Sequence, residues 1–286
     1  MIFQYNMDKK LIYDIGSNTG EDTLFYLTQG YRVIAIDADP SIIEGCKKRF
    51  KNYGDRAIFL NYAISDTDNT TVDLFLNNDS AKSSLIADVG ERQNNFKKIV
   101  KVKTITLRTL MEQYGIPYYC KIDIEGYDPV AIKSLKGTSE IPKYISAEAE
   151  CKSDEDKFSE DGIFDSLDAL KGAGYKKFKL VDQTTLSVLD FSDFYISRSK
   201  LYYGIIRKLQ KMTKMYSAKY TNKLRLNKKY EYDLVFDASG PFAEELDGAW
   251  YDYEKAKELY LYHRRAFFKV EANRKYSLWA DWHATF

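Results

Sequence analysis

The first 180 residues alternate between segments typical of strands and segments typical of helices. The apolar run Leu11–Ile15 precedes a glycine-rich turn, a helical segment follows over Glu21–Gln29, and Arg32–Asp37 is the next strand. Repeated strand–helix units of this kind predict a parallel sheet with helices on both faces. Such a doubly wound sheet binds its ligand beyond the carboxyl ends of its strands.

The same alternation continues along the chain. Further strands are predicted at Ala57–Ile64, Tyr118–Ile124, Tyr144–Ala149 and Tyr175–Val181. Asp-Pro pairs at 39–40 and 128–129 predict helix starts, because the carboxylate caps free amides and proline has no amide to leave unpaired. A strand over Tyr230–Phe236 is predicted to be the antiparallel last strand of the sheet. We therefore predict four parts of the chain: a core over 1–181, a basic insertion over 182–229, a closing strand over 230–237 and a C-terminal extension over 238–286.

Composition excludes several classes of protein. The 286 residues are 44% hydrophobic with a net charge of +1, so neither bulk disorder nor a global attraction to nucleic acid is expected. The three cysteines form no disulfide or zinc pattern. No apolar stretch of about 18 residues, the length that spans a bilayer, occurs in the sequence. We therefore expect a soluble, cytoplasmic protein.

The turn "DIGSNTG" at 14–20 is the first candidate ligand site. Its glycines, Gly16 and Gly20, are spaced Gly-x-x-x-Gly rather than in the Gly-x-Gly-x-x-Gly pattern of dinucleotide folds. Asn18 between them tolerates a left-handed backbone. Asp14 would repel a pyrophosphate but suits a ligand that carries a positive amino or sulfonium group, and S-adenosylmethionine carries both. An NAD-dependent enzyme is the disfavoured alternative.

Acidic and polar residues end the next two predicted strands. Asp37 is placed to accept hydrogen bonds from ribose hydroxyls, a role that an acid here also plays in NAD enzymes. The segment "AISD", which contains Ile64, Ser65 and Asp66, is placed to meet an adenine ring. Taken singly, each acid is equally well explained as a helix cap or a surface charge. Their order at successive strand ends favours a nucleoside site.

Six segments together resemble the FkbM-type methyltransferases over about residues 11–182. These are "LIYDIGSNTGEDTLFYL", "YRVIAIDADP", "NYAISD", "VKTITLRTL", "CKIDIEGYDPVAIKSLKG" and "ISAEAE". The resemblance implies a class I, Rossmann-like doubly wound sheet, mostly parallel with an antiparallel last strand. It also implies S-adenosylmethionine as cofactor and a hydroxyl, often on a sugar, as acceptor. The matched positions are Asp14, Gly16, Asn18, Gly20, Asp37, Ser65, Asp66, Asp123 and Glu125; Ser17, Ala38 and Ile64 flank them in the expected cofactor site.

Two positions depart from the family pattern, and one further segment extends it. Arg108 stands where an acid is expected, and Ser17 replaces a more usual alanine. The segment "SGPFAEELDGAW" at 239–250 is similar to a C-terminal box of glycan-linked members.

Methyl transfer to an alcohol requires an aligned acceptor oxygen and a group that takes its proton. Asp123 and Glu125 follow the strand that lies nearest the transferred methyl group in this fold. We expect Asp123 to shape the methionine end of the pocket and Glu125 to face the acceptor as base or hydroxyl clamp. Lys121 is expected to pair with either acid as the third catalytic candidate. The alternative for Glu125 is a capping role in the turn at Gly126.

Other side chains are candidates for acceptor binding. Glu148 and Glu150 share one face of the next strand and are predicted to bind sugar hydroxyls. With Asp123 and Glu125 they offer an alternative oxygen cage for magnesium or calcium, although no metal motif is present and no metal is predicted. Trp250 is a candidate stacking surface for a sugar. His263 and His283 are base candidates by their usual pKa, but the predicted topology places them away from the cofactor.

The basic segment allows several interpretations. Residues 198–230 contain eleven lysines and arginines and no acid. They predict a solvated helix face with an apolar stripe, a site for an acidic acceptor near the substrate mouth, or a helix on an anionic membrane beside a lipid-linked glycan. Nucleic acid is disfavoured because the net charge is near zero and no RNA-binding motif is present.

The sequence therefore predicts an S-adenosylmethionine-dependent O-methyltransferase that acts on a sugar, glycan or glycolipid hydroxyl. Methylation of another small molecule, a lipid or RNA, and a non-catalytic cofactor-binding scaffold, are the alternatives. The sequence leaves the acceptor and the oligomeric state open.

Overall fold

The central element of the protein is an eight-stranded sheet. The computed structural model describes residues 7–77, 85, 96–149, 161–193, 218–235, 238–269 and 278–286. The strands of this sheet are β1 (Asp8–Ile15), β2 (Arg32–Asp37), β3 (Ala57–Asn61), β7 (Pro117–Ile122), β8 (Tyr144–Glu148), β9 (Lys177–Asp182), β10 (Ser187–Val188) and β11 (Ala280–Thr285). The first five of these and β9 run in one direction, whereas β10 and β11 run antiparallel to their neighbours.

The strand order is that of a doubly wound sheet. Across the sheet the order is β3-β2-β1-β7-β8-β11-β9-β10, so the chain winds outward from β1 in both directions. The helices α1 (Glu21–Thr28), α2 (Pro40–Arg49), α3 (Leu107–Tyr114), α4 (Asp128–Lys133) and α5 (Asp165–Ala173) lie within this winding. The predicted class I fold, mostly parallel with an antiparallel last strand, is confirmed. The point where winding reverses is the gap between β1 and β7, and a ligand site is expected at its carboxyl edge.

The antiparallel strand is not the segment predicted for it. Helix α6 (Ala218–Tyr230) extends through Tyr230, and residues 231–235 form no strand. Tyr230 and Tyr232 pack instead on Phe25, with ring centroids 5.3 Å and 5.4 Å away. The closing strand is β11, which inserts between β8 and β9. The predicted boundary of 230–237 is therefore wrong, and the extension after residue 238 supplies part of the core sheet.

A second, three-stranded sheet was missed by the sequence analysis. It consists of β4 (Ala63–Ile64), β5 (Thr71–Asn77) and β6 (Phe96–Ile105), in the order β4-β6-β5. The predicted strand Ala57–Ile64 is thus two strands in two sheets. Residues 57–64 are apolar except for Asn61, so the sequence pattern alone does not show that the chain changes sheets.

The C-terminal extension packs into the core. Phe242 stacks on Tyr119 of β7 with ring centroids 4.0 Å apart, and both side chains are at most 2% exposed. The buried ammonium of Lys179 donates hydrogen bonds to the carbonyl oxygens of Ala243 and Leu246. Helix α7 (Tyr253–Lys269) then leads toward β11. The extension is therefore part of the folded domain.

We predict that Phe242→Ala lowers the free energy of unfolding by about 3–5 kcal/mol, because it removes a large buried ring and leaves a cavity. Urea denaturation measures the change. The control is Phe286→Ala, whose ring is 47% exposed although it stacks on Tyr175. Equal, small effects of the two substitutions would show that the extension does not support the core.

Candidate active site

The glycine turn lies between β1 and α1 at the point where the winding reverses. Gly16, Asn18 and Gly20 all have positive φ, at 75°, 43° and 88°. A Cβ on Gly16 would lie 1.8 Å from the carbonyl oxygen of Asp123, so only glycine lets β1 and β7 end side by side here. The hydroxyl of Ser17 is buried and has no hydrogen-bond partner among the described residues. This hydroxyl could therefore form a hydrogen bond with a ligand bound at the turn.

Asp37 links the end of β2 to the glycine turn. Its carboxylate accepts hydrogen bonds from the backbone N–H groups of Asn18, at 2.9 Å, and Asp39, at 2.8 Å. Burial raises the pKa of Asp37 to about 6, against the lowering effect of these two N–H groups. The carbonyl of neighbouring Ala38 accepts from the Asn61 side chain. The carboxylate of Asp37 is therefore fixed in place by backbone hydrogen bonds. Its position and charge suit it to accept hydrogen bonds from the two hydroxyls of a ribose.

The predicted adenine segment lies after β4. Ile64 and Ser65 are buried, whereas Asp66 is exposed. The N–H of Ser65 donates to the carbonyl of Ile105, and its hydroxyl donates to the Asp66 carboxylate at 3.4 Å. The backbone amide of Ser65 is thus already paired within the second sheet, whereas Ile64 and the exposed side chain of Asp66 are candidates for contact with a base.

Lys121 is a buried cation surrounded by carboxylates. Its ammonium lies 3.4 Å from Asp14 and 3.5 Å from both Asp22 and Asp123. The Lys121 side chain is 5% exposed. Burial alone lowers its pKa, but the three carboxylates raise the pKa well above its ordinary value, so Lys121 remains charged. The expected pairing of Lys121 with Asp123 is found, and its buried position gives it a structural role rather than contact with an acceptor.

Asp14 faces the protein rather than an open pocket. It is 0% exposed, and one carboxylate oxygen accepts the Thr23 hydroxyl at 2.5 Å while the other faces Lys121. Asp14 is thus engaged with Thr23 and Lys121, and its direct contact with the positive end of the cofactor stays a prediction. Its charge is compensated by a lysine that follows it by more than a hundred residues, which no local pattern reveals.

Asp22 is a site residue that the sequence analysis missed. It lies in the first turn of α1, contacts Lys121, and accepts hydrogen bonds from the backbone N–H groups of Ser239 and Gly240 at 3.0 and 2.8 Å. Burial raises its pKa, while Lys121 and the two N–H groups lower it. The segment "SGPF" therefore attaches the C-terminal extension to the cofactor edge. Its similarity to a family box was the one signal for this contact.

The acceptor-side candidates follow β7. The side chain of Asp123 is 44% exposed although it contacts Lys121, so it has one face toward the protein and one toward solvent. Glu125 is partly buried with φ of 51°, a left-handed conformation that is uncommon outside glycine. The following Gly126 also has positive φ. The turn projects beyond the strand, and the role of Glu125 as base or clamp stays a prediction.

Two carboxyl groups beside this turn are raised in pKa. Burial and then the charges of Asp128 and Asp123 raise the pKa of Glu148 well above its ordinary value. Burial and then Asp123 do the same for Asp281 of β11, with Lys121 opposing. Asp128 itself, predicted as a helix cap, instead accepts long hydrogen bonds from the N–H groups of Ile124 and Glu148, and burial raises its pKa to about 6. Glu150 lies outside the described residues.

Three aromatic candidates lie away from this edge. Trp250 stacks against Tyr144 at the amino end of β8, the opposite end of the strand from Glu148. The structure does not bring it together with the other acceptor-side candidates, and its role as a stacking surface stays a prediction. His283 is buried within β11, and burial lowers its pKa to about 3, which keeps it neutral. His263 is fully buried on α7.

The described part of the basic segment is α6. Arg225 pairs with Asp247 at 2.7 Å, and the ammonium groups of Lys223 and Lys229 donate to backbone carbonyls of Val235 and Glu245. These side chains are used within the protein, as expected for a helix packed on the domain. Residues 194–217, with the other basic side chains, are outside the described part.

The described residues contain no group of three or more histidine, cysteine, aspartate or glutamate side chains arranged to hold a metal ion. Within the same ranges, the helices are too short or too polar to cross a bilayer.

Comparison with known proteins identifies the family. The Methyltransferase FkbM domain matches residues 14–177, which is more than half of the chain. No curated protein matches the sequence. Among solved structures, the O-methyltransferase from Bacillus cereus in complex with S-adenosylhomocysteine is 13% identical, with 60% of this chain and 66% of that chain covered and a TM-score of 0.36. A S-adenosylmethionine-dependent methyltransferase from Thiobacillus denitrificans is 12% identical, with 98% and 86% covered and a TM-score of 0.36.

A third structure, precorrin-6y C5,15-methyltransferase from Geobacter metallireducens, is 10% identical, with 62% and 69% covered and a TM-score of 0.32. These low scores carry no conclusion about activity. The domain match does: the chain belongs to the FkbM methyltransferase family, and the prediction of an S-adenosylmethionine-dependent methyltransferase is confirmed. The held carboxylate of Asp37 and the available hydroxyl of Ser17 fit that cofactor.

We predict that Lys121→Met lowers the free energy of unfolding by about 3–5 kcal/mol, because it leaves buried carboxylates without a counter-charge. Methionine keeps the apolar stem, so the loss reports the charge. The control is Lys101→Met, whose ammonium is 74% exposed and pairs with Asp73 at 3.0 Å; a change of at most about 1 kcal/mol is expected. Urea denaturation measures both, and equal effects would contradict a central role for Lys121.

Proposed function

We propose that this protein transfers a methyl group from S-adenosylmethionine to a hydroxyl of a sugar, glycan or glycolipid. Asp37 would hold the ribose, the turn of Gly16 to Gly20 with Ser17 would hold the amino acid end, and Ile64 would contact the adenine. When bound, the cofactor supplies an electrophilic methyl group on a positive sulfur. The chain's own residues then have to orient the acceptor hydroxyl and remove its proton.

The observation that carries the proposal is the carboxyl-rich acceptor side. Asp123, Glu125, Glu148 and Asp281 lie at one edge of the sheet, at or after the carboxyl ends of β7 and β8 and at the amino end of the antiparallel β11, where Asp281 pairs with Glu148. Carboxyl groups accept hydrogen bonds from hydroxyls when ionised and donate them when protonated. A polyhydroxylated, uncharged acceptor therefore suits this surface, whereas a phosphorylated or otherwise acidic acceptor would be repelled.

The described basic residues do not change this conclusion. The ion pair and backbone hydrogen bonds of α6 leave Arg225 and Lys229 engaged with the C-terminal extension. Contact of the basic segment with a membrane remains part of the proposal. It would bring the protein to a lipid-linked glycan acceptor and would have no role in the chemistry.

The proposed acceptor class is tested with S-adenosylmethionine labelled in its methyl group. The protein is incubated separately with neutral sugars, amino sugars, phosphorylated sugars, glycolipids and RNA, and labelled product is measured. We expect product with neutral sugars or glycolipids and at least tenfold less with phosphorylated sugars. Glu125→Gln tests the clamp, with Glu140→Gln on the surface as the control. Product on amines or RNA alone would contradict O-methylation.

We predict that affinity for S-adenosylhomocysteine falls as the pH drops below about 6. A ribose diol binds the ionised form of Asp37, whose pKa of about 6 means that acid conditions neutralise it in the free protein. The loss approaches tenfold per pH unit for one proton. Titration calorimetry from pH 5 to 8 measures the trend. Asp37→Asn should bind more weakly at pH 8 and lose the dependence; a pH-independent wild type would contradict the role of Asp37.

A further inference from the structure

The last strand brings a second acidic residue against Glu148. In the register of the antiparallel pair β8–β11, Asp281 lies directly opposite Glu148. The N–H of Ala149 donates to the carbonyl of Ala280 at 2.9 Å, so these two residues form a hydrogen-bonded pair of the ladder. The next pair along an antiparallel ladder is the closer, non-hydrogen-bonded kind, with Cα atoms about 4.5 Å apart. Glu148 and Asp281 occupy such a pair, on one face of the sheet.

Neither carboxyl group accepts a hydrogen bond from the described residues that would stabilise its negative charge. Asp281 is 7% exposed, and the described chain places no donor on its carboxyl oxygens. Glu148 is partly buried, and only its backbone N–H takes part in a hydrogen bond there, to Asp128. Two buried carboxylates side by side, both ionised, would repel each other strongly. One proton held between them removes that repulsion.

The charged groups around Glu148 and Asp281 do not compensate two negative charges on the pair. The groups that face the pair are Asp123 and Glu125 from the turn after β7, Asp128 from α4, Asp22 from α1 and Lys121 from β7. Among these groups of the described chain, Lys121 is the one cation, and it already contacts the carboxylates of Asp14, Asp22 and Asp123. The local balance is therefore negative, which favours the retention of a proton by the pair.

We propose that Glu148 and Asp281 form a proton-sharing carboxyl pair that accepts the proton of the acceptor hydroxyl during methyl transfer. The pair holds one proton at neutral pH. Its ionised carboxylate takes the hydroxyl proton as the oxygen bonds to the methyl carbon, and the electrons of the broken methyl–sulfur bond stay on sulfur. The pair then holds two protons, of which one leaves to solvent with product release. Asp281 lies beyond the matched family domain, which ends at residue 177.

Shared protonation is tested without any acceptor. Urea unfolding from pH 5 to 8 compares wild type, Glu148→Gln, Asp281→Asn and the double variant. A carboxyl whose pKa is raised by folding stabilises the folded state at low pH and loses that contribution as the pH rises. The wild-type folding constant should therefore fall by up to about tenfold per pH unit relative to either variant.

The double variant separates sharing from independent titration. If one proton is shared, either single substitution removes the pair's whole contribution to the pH dependence of stability, and the double variant removes no more; the contributions of Asp37 and Asp128 remain in every variant. If the two groups titrate independently, the change in the folding constant in the double variant equals the product of the changes in the two single variants. That result would overturn the shared proton. Asp73→Asn, an exposed aspartate of β5, is the matched control and should follow wild type. Binding of S-adenosylhomocysteine confirms that each variant retains its cofactor site.

The role in methyl transfer rests on the proposed function. With the acceptor found by the labelled-methyl experiment, Glu148→Gln and Asp281→Asn should each lower kcat by about 10²–10⁴-fold, as expected for loss of a general base. Their affinity for S-adenosylhomocysteine should stay within about threefold of wild type. Undiminished kcat in Asp281→Asn would overturn the role. If no hydroxyl acceptor exists, the proposed function fails, whereas the unfolding data still decide whether the pair shares a proton.

Discussion

The buried ammonium of Lys121 is the interaction on which the arrangement of the site depends. It joins Asp14 at the end of β1, Asp22 at the start of α1 and Asp123 after β7. The first strand–helix unit and the turn after β7, which are remote from each other in sequence, are thus held around one charge at the point where the winding reverses. A buried cation with too few partners would lose its proton, and buried acids without it would gain one. The charges stabilise one another, and the glycine turn is positioned as a consequence.

The C-terminal extension completes the active site as well as the core. The N–H groups of Ser239 and Gly240 bind Asp22, and β11 places Asp281 beside Glu148. The family domain ends at residue 177, so these contributions come from outside the matched part of the chain. In the proposed function, the cofactor side is built mainly by the N-terminal strands, and the acceptor side also includes the last strand.

Sequence patterns between neighbouring residues were sufficient to predict much of the fold. The Asp39 cap is found as predicted, with its carboxylate accepting from the Ser41 N–H, because a cap depends on neighbouring residues only. The closing strand was misplaced because "YEYDLVF" begins with the alternation of a strand, and the real strand "ADWHAT", which alternates as well but is buried on both faces, was not recognised. The pairing of Asp14 with Lys121 was also not foreseen, since the two residues are remote in sequence. Contacts set by tertiary packing have no local signature.

Titration calorimetry with S-adenosylhomocysteine and with NAD tests the central claim most directly, namely that the carboxyl ends of β1, β2 and β4 form a site for S-adenosylmethionine. The account predicts that S-adenosylhomocysteine binds with one site per chain, that NAD gives no binding heat, and that Gly16→Ala abolishes the binding because its Cβ would collide with the Asp123 carbonyl. Binding of NAD without binding of S-adenosylhomocysteine would contradict it.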